Sequence, residues 1–118
     1  MILHITSRTE WNDAQVRGEY IAPSLQTEGF IHCSTEKQVL HVANAFYRGK
    51  KDLVLLLLDE AHLKPELKWE APAGPAAPGI SESDLFPHVF GPINLSAIAS
   101  VVDFVPDSAG NFILPSFG

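Results

Sequence analysis

Five histidines are spread along 118 residues, and three of them sit inside short apolar segments: His4 in LHIT, His32 in GFIHCS and His88 in FPHVFG. An imidazole in an apolar strand is costly unless it is hydrogen-bonded. One such residue is the common case of a satisfied core histidine. Three of them, in three separate strands, point instead to a shared cleft, because strand-borne polar groups around one cavity make a rigid binding site. Phe30, Phe86, Phe90, Tyr47 and Trp69 stand close to them in the chain and offer an aromatic wall.

A metal centre is the competing chemistry, and the spacings weigh against it. No HxxxH or CxxC pair exists, and His32 and Cys33, being adjacent in a strand, point to opposite faces. Cys33 at the start of a helix would favour a thiolate nucleophile. A small buried cysteine is the simpler reading. Ser34 reads first as a helix N-cap, and the same place could hold an anion at a helix N-terminus. His41 and His62 read as surface or boundary residues. Glu70, after Trp69, is a lone acid/base candidate.

The elements that must carry these residues follow from periodicity. Met1–Thr6 is a first strand. Ser7 and Glu10 form a capping box for a helix from about Arg8 to Arg17, closed by Gly18. Residues 22–28 read as a polar connection. Phe30–Cys33 is a short strand, and Ser34 or Thr35 caps a second helix whose buried face is Val39, Val42, Ala43 and Phe46. DLVLLLLD, Asp52–Asp59, is a central strand covered on both faces. Leu67–Glu70, Leu85–Phe90, Ser100–Val105 and Asn111–Leu114 are further extended segments, with a single short turn at Leu95–Ile98. Between two of them lies APAGPAAPGISESD, residues 71–84, a loop placed to act as a flap. Strands outnumber helices, which predicts one α+β domain over 1–118 with mixed or mostly antiparallel pairing and two main helices.

Composition bounds the partners. The chain is 46% apolar with a net charge of −6. That speaks against nucleic acid and anionic membranes, which call for a basic surface. The one basic cluster is Arg48, Lys50 and Lys51. A single cysteine allows no internal disulfide, the N-terminus lacks a basic segment followed by a long apolar one, and Leu53–Leu58 is too short to span a bilayer. The expectation is a cytoplasmic protein.

LHIT, GFIHCS followed by the helix of QVLHVANAFY, LKWE, FPHVFGPI and the closing GNFILP resemble the bacterial domain of unknown function 952 family, from Ile2 to Pro115. That family looks like a compact relative of the ADP-ribosyltransferase fold, a split, strongly bent β-sheet gripping NAD. The resemblance implies that His4 takes the place of the histidine in the first motif, and that His32, Cys33 or Ser34 lies against the nicotinamide. It implies that Phe46 or Tyr47 stacks on the ring, and that His88 occupies the third motif. His4, His32 and His88 are then the catalytic candidates. Ser34, Phe46, Tyr47 and Glu70 are the candidate contacts to NAD or a related nucleotide or phosphorylated small molecule.

The implied chemistry is glycosyl or phospho-transfer of the ADP-ribosyl type. A non-catalytic nucleotide or small-ligand module is the alternative, and a three-histidine metal-dependent hydrolase a third. His88 departs from the pattern, since the third motif usually carries a glutamate whose fixed negative charge a histidine cannot supply. RNA 2′-phosphotransferases of the same fold dispense with that glutamate, but they rely on basic residues to grip a phosphorylated RNA, and this acidic chain shows no obvious basic groove. Glu70 substitutes for it only if the fold brings it in. The oligomeric state is not legible in the sequence.

Overall fold

Leu53–Leu58, strand β4, is buried at all six positions. A strand with no polar side needs a layer on each face, and the computed structural model, which describes residues 1–81 and 83–116, supplies both. Leu53, Leu55 and Leu57 pack with Val39 and Ala43 of helix α3 (Glu36–Phe46) and with Phe104 and Phe112. Val54, Leu56 and Leu58 pack with Tyr20, Ile31, Val89 and Ile93. Strand β1 (Ile2–Ser7) pairs antiparallel with one edge of β4, and β8 (Ile98–Phe104) with the other.

A second sheet has the order β3 (Ile31–His32), β6 (Phe86–Val89), β5 (Leu67–Glu70), again antiparallel. Among the described residues the backbones of the two sheets meet at one bridge. Leu3 and Ser34 exchange backbone hydrogen bonds of 2.8 Å in both directions, while the Cys33 N–H donates to the Pro87 carbonyl at 3.0 Å. The chain therefore leaves β6 and touches β1 within two residues, and the sheet is split there. A two-residue ladder, β2 (Glu19–Tyr20) with β7 (Ile93–Asn94), closes the rest. Every ladder among the described residues is antiparallel, where mixed or mostly antiparallel pairing was the expectation.

Helix α1 spans Arg8–Arg17 as the sequence implies. Ser7 Oγ accepts from the Glu10 N–H at 3.1 Å, and Gly18, at φ 94°, closes the helix by donating to Ala14 at 2.8 Å. The capping box is half made, because the Glu10 carboxylate accepts from the Thr6 hydroxyl at 3.0 Å rather than turning back to Ser7. Helix α3 is capped from Thr35, whose N–H donates to Gln38 Oε1 at 3.0 Å. Ser34 is one residue too early to cap, which corrects its first reading.

Three other expectations change. The connection at 22–28 contains a short helix, α2 (Pro23–Thr27), started by a proline at its first position and too short to show an apolar period. The two-residue strands β2 and β7 were not foreseen. The segment 111–114 is not a paired strand. The Asn44 side-chain amide clamps Phe112 instead, accepting from its N–H at 2.7 Å and donating to its carbonyl at 3.4 Å. The reading of residues 71–84 as irregular holds where the loop is described; it extends to Glu82, which lies outside the described residues. Among the described residues no helix is long and apolar enough to cross a membrane.

Candidate functional site

Strand pairing brings two of the three histidines together. His32 on β3 and His88 on β6 are direct cross-strand partners, so their side chains rise from the same face. Their rings stand edge to face with centroids 5.6 Å apart. Phe30 braces both, stacked on His88 at 4.1 Å and edge-on to His32 at 4.8 Å.

Each imidazole is anchored by a glutamate. His88 Nδ1 lies 2.8 Å from Glu70 Oε1, and His32 Nε2 lies 2.9 Å from Glu28 Oε2. The two pairs differ in setting. The His88 side chain is 3% exposed, while those of His32 and Glu28 are both more than two-fifths exposed. Glu70 reaches His88 because its own partner on β6 is Phe86, two residues away on the same face. Glu28 reaches His32 across the turn at Gly29, which carries no sequence period that would have announced it.

His32 and His88 open into a cleft of about 310 Å³, whose lining does not include Glu70, the candidate ligand contact that instead holds His88 from behind. One wall is His32, Ser34, Phe86 and His88; the facing wall is Val42, Phe46 and Tyr47 of α3 and its C-terminus. Residues 72–77 of the irregular loop form a third side, and Ala77 is buried there. The loop is tied at its far end, where Gln38 Nε2 donates to the Leu85 carbonyl at 2.8 Å. It also docks on α3 at Gly79, where a Cβ would stand 2.5 Å from His41 Nδ1. His41, set aside in the sequence as a boundary residue, is thus the seat of the loop.

His4 lies behind this wall and does not line the cleft. Its Nδ1 is 2.5 Å from the carbonyl oxygen of His32, and its Nε2 is 2.7 Å from the Tyr20 hydroxyl. A carbonyl only accepts, so Nδ1 carries the proton, and in the neutral ring Nε2 accepts from Tyr20. With its proton donated to His4, the Tyr20 oxygen accepts from the Thr6 hydroxyl 2.9 Å away, whose single proton can turn instead to Glu10 at 3.0 Å. Burial lowers the His4 pKa to about 4, partly offset by its bond to His32. Burial also pushes the Tyr20 hydroxyl up. His4 is therefore neutral near pH 7 and pins the backbone of β3 from the core side. Two of the three histidines, His32 and His88, present their rings to the cleft, while His4 meets only the His32 backbone from behind.

The remaining candidates separate cleanly. Cys33 also borders the cleft but is buried in the core cluster, and burial pushes its thiol well above the usual range, which removes the thiolate a nucleophile requires. Ser34, freed from capping, lines the cleft with no hydrogen-bond partner for its hydroxyl among the described residues. Phe46 is 59% exposed at the cleft mouth, which corrects its place on the buried face of α3, since it sits at the last helical position beyond the core contact of Ala43; Tyr47 is deeper, its hydroxyl pKa raised by burial. His62 pairs with Asp59 on the surface at 2.8 Å, which holds that carboxyl below its usual value. Among the described residues no three histidine, cysteine or carboxylate side chains are grouped to hold a metal ion.

Comparison with known proteins gives the chain its relatives. The family model described as "Protein of unknown function (DUF952)" matches residues 5–101. The crystal structure of protein CC0527 from Caulobacter crescentus is 33% identical, with a TM-score of 0.80 over 96% of this chain and 93% of that one. A double mutant of the same protein superposes with a TM-score of 0.79 at 32% identity over the same shares. Its solution NMR structure gives 0.75 at 33% identity, over 93% of this chain and 89% of that one. No curated protein matches the chain.

Proposed function

We propose that this chain, which belongs to the DUF952 family, binds NAD or a related nucleotide in the cleft between the β3–β6 wall and α3, on an ADP-ribosyltransferase-like framework. The observation that carries the reading is the pairing of unlike walls. His32, Ser34 and His88 offer hydrogen-bonding atoms on one side, and Phe46 and Tyr47 offer ring faces on the other. Ligand sites combine a mostly apolar lining with a few convergent polar groups in this way. Support for the framework is the split sheet, joined at a single Leu3–Ser34 pair beside the cleft.

The donor set fits one part of NAD better than another. Aromatic faces, a hydroxyl and two imidazoles suit a base and its ribose. No lysine or arginine is among the lining residues, so a diphosphate would find no permanent cation there. A cleft of about 310 Å³ lies at the low end of the roughly 300–1,000 Å³ typical of ligand pockets. It suits one nucleoside half, with the rest of the dinucleotide outside the mouth. When bound, NAD would supply a nicotinamide–ribose bond open to cleavage.

Transfer of a glycosyl or phospho group is a second reading. In its favour is Glu70, a carboxylate held 2.8 Å from His88, where the resemblance asks for a glutamate and the sequence offers a histidine. Thermal shift separates the two. A ligand binding only the folded state stabilises it by about 2.7 kcal/mol at one hundred times its dissociation constant. NAD, ADP-ribose and nicotinamide riboside are the probes. A raised melting temperature without nicotinamide release marks a binder, and release marks transfer or hydrolysis. No shift with any of the three at millimolar concentration sinks the nucleotide reading.

A further inference from the structure

We infer that Glu70 fixes the tautomer of His88 so that a bare Nε2 faces the cleft, and that the ligand meets it with a ribose hydroxyl rather than a phosphate oxygen. The inference rests on the reading of the cleft as a nucleotide site and specifies which part of the nucleotide lies against β3–β6.

The chemistry is a matter of counting protons. A carboxylate only accepts hydrogen bonds, so the contact of 2.8 Å between Glu70 and His88 puts a proton on Nδ1. The ring cannot readily turn over to exchange its nitrogens. His88 is 2% exposed, Phe30 is stacked on one face, and the edge of His32 stands beside it. Nε2 has no hydrogen-bond partner among the described residues, yet it is not sealed off from the cleft. With the proton on Nδ1 the neutral ring leaves Nε2 bare, and the described residues offer no acceptor for a second proton there.

The charged groups nearby are occupied elsewhere. Glu28 is engaged by His32 at 2.9 Å. Lys68, the direct cross-strand partner of His88, is half exposed, with its ammonium 4.9 Å from the Phe90 ring centre and 3.6 Å from Glu66. An Nε2 lone pair repels a phosphate oxygen, which is itself an acceptor, and no lining cation offsets that. It attracts an O–H. Ser34, two residues beyond His32 on the same wall, can donate or accept and so serves a neighbouring hydroxyl.

Imidazole nitrogen NMR on the ¹⁵N-labelled full chain near neutral pH reads the tautomer directly. His88 should show a protonated Nδ1 and a bare Nε2. Glu70→Ala should mix the tautomers, while Glu70→Gln, whose amide oxygen still accepts, should preserve the wild-type form. A merely structural Glu70 would leave the tautomer unmoved in both variants. The ligand arm uses adenosine, 2′,3′-dideoxyadenosine and inorganic phosphate. Adenosine should move the His88 Nε2 resonance, the dideoxy compound should bind about tenfold more weakly for want of the hydroxyl partner, and phosphate should leave His88 unmoved. A protonated Nε2 in the wild type, or a His88 response to phosphate equal to that with adenosine, overturns the inference. Binding by none of these together with the stated tautomer overturns the nucleotide reading and the ribose assignment with it, and leaves the Glu70–His88 tautomer standing.

Discussion

His4 and His88 are both buried, at 7% and 2% exposure, and they do opposite jobs. His4 has both ring nitrogens paired inside the protein, one to the His32 carbonyl and one to the Tyr20 hydroxyl. His88 has one nitrogen held by Glu70 and the other turned to a cleft. Burial of an imidazole therefore does not mark a site in this fold. What sets His88 apart is a ring nitrogen left unpaired among the described residues. The first histidine is a strut that holds β3 in place, and the second is the surface that the strut positions.

The largest expected effect tests that division. His4→Ala leaves the His32 carbonyl without its side-chain partner, takes one of the Tyr20 hydroxyl's partners while Thr6 remains, and opens a cavity in the core, a combined loss of about 3 kcal/mol. His88→Gln keeps an amide beside Glu70 and an open cleft beyond, and should cost about 1 kcal/mol. Urea unfolding of both variants decides it. Equal losses would erase the distinction between strut and site.

Acid should act through His4 as well. Its folded pKa of about 4 lies below the ordinary 6.5, so the folded chain binds this proton more weakly than the unfolded chain does. Stability is then complete above about pH 6.5 and falls as the pH drops toward 4, by up to about 3 kcal/mol. Urea midpoints measured across that window should fall more steeply in the wild type than in His4→Leu. Identical slopes would mean that His4 is not the buried proton-averse group.

The parts of this arrangement legible in the sequence are those with a period or a local rule. DLVLLLLD announces a two-sided strand because no polar side interrupts it, and Ser7 and Gly18 bracket α1 because caps are local. The three histidines stand out because imidazoles in apolar strands need a reason. Glu70 as partner of His88 was not legible, because it depends on the β5–β6 register, which sets Glu70 opposite Phe86. The role of His4 was hidden for a similar reason. Its partner Tyr20 sits on a two-residue strand that shows no alternation of its own. Ser34 was read first as a cap because Ser and Thr in adjacent positions compete for that role, and the bridge to Leu3 settles it for Thr35.

The smallest effect on stability falls on the facing wall, where the comparison can be sharpened. Phe46 ends α3 and is 59% exposed, so the core gains little from its ring. Phe46→Ala replaces a middling helix former with the best one, which offsets the lost packing and should leave stability within about 0.5 kcal/mol of wild type. The same change removes a ring face from the cleft. Stacking of a ligand ring on it contributes about 0.5–1.5 kcal/mol beyond buried area, so affinity for a nucleoside should fall about tenfold while the melting temperature of the free protein stays put. Calorimetric titration with adenosine beside thermal unfolding reads both at once. A loss of stability with unchanged affinity would place Phe46 with His4 among the residues that hold the fold. A loss of affinity alone places it with His88, across the cleft from a histidine whose free nitrogen it helps a ligand to reach.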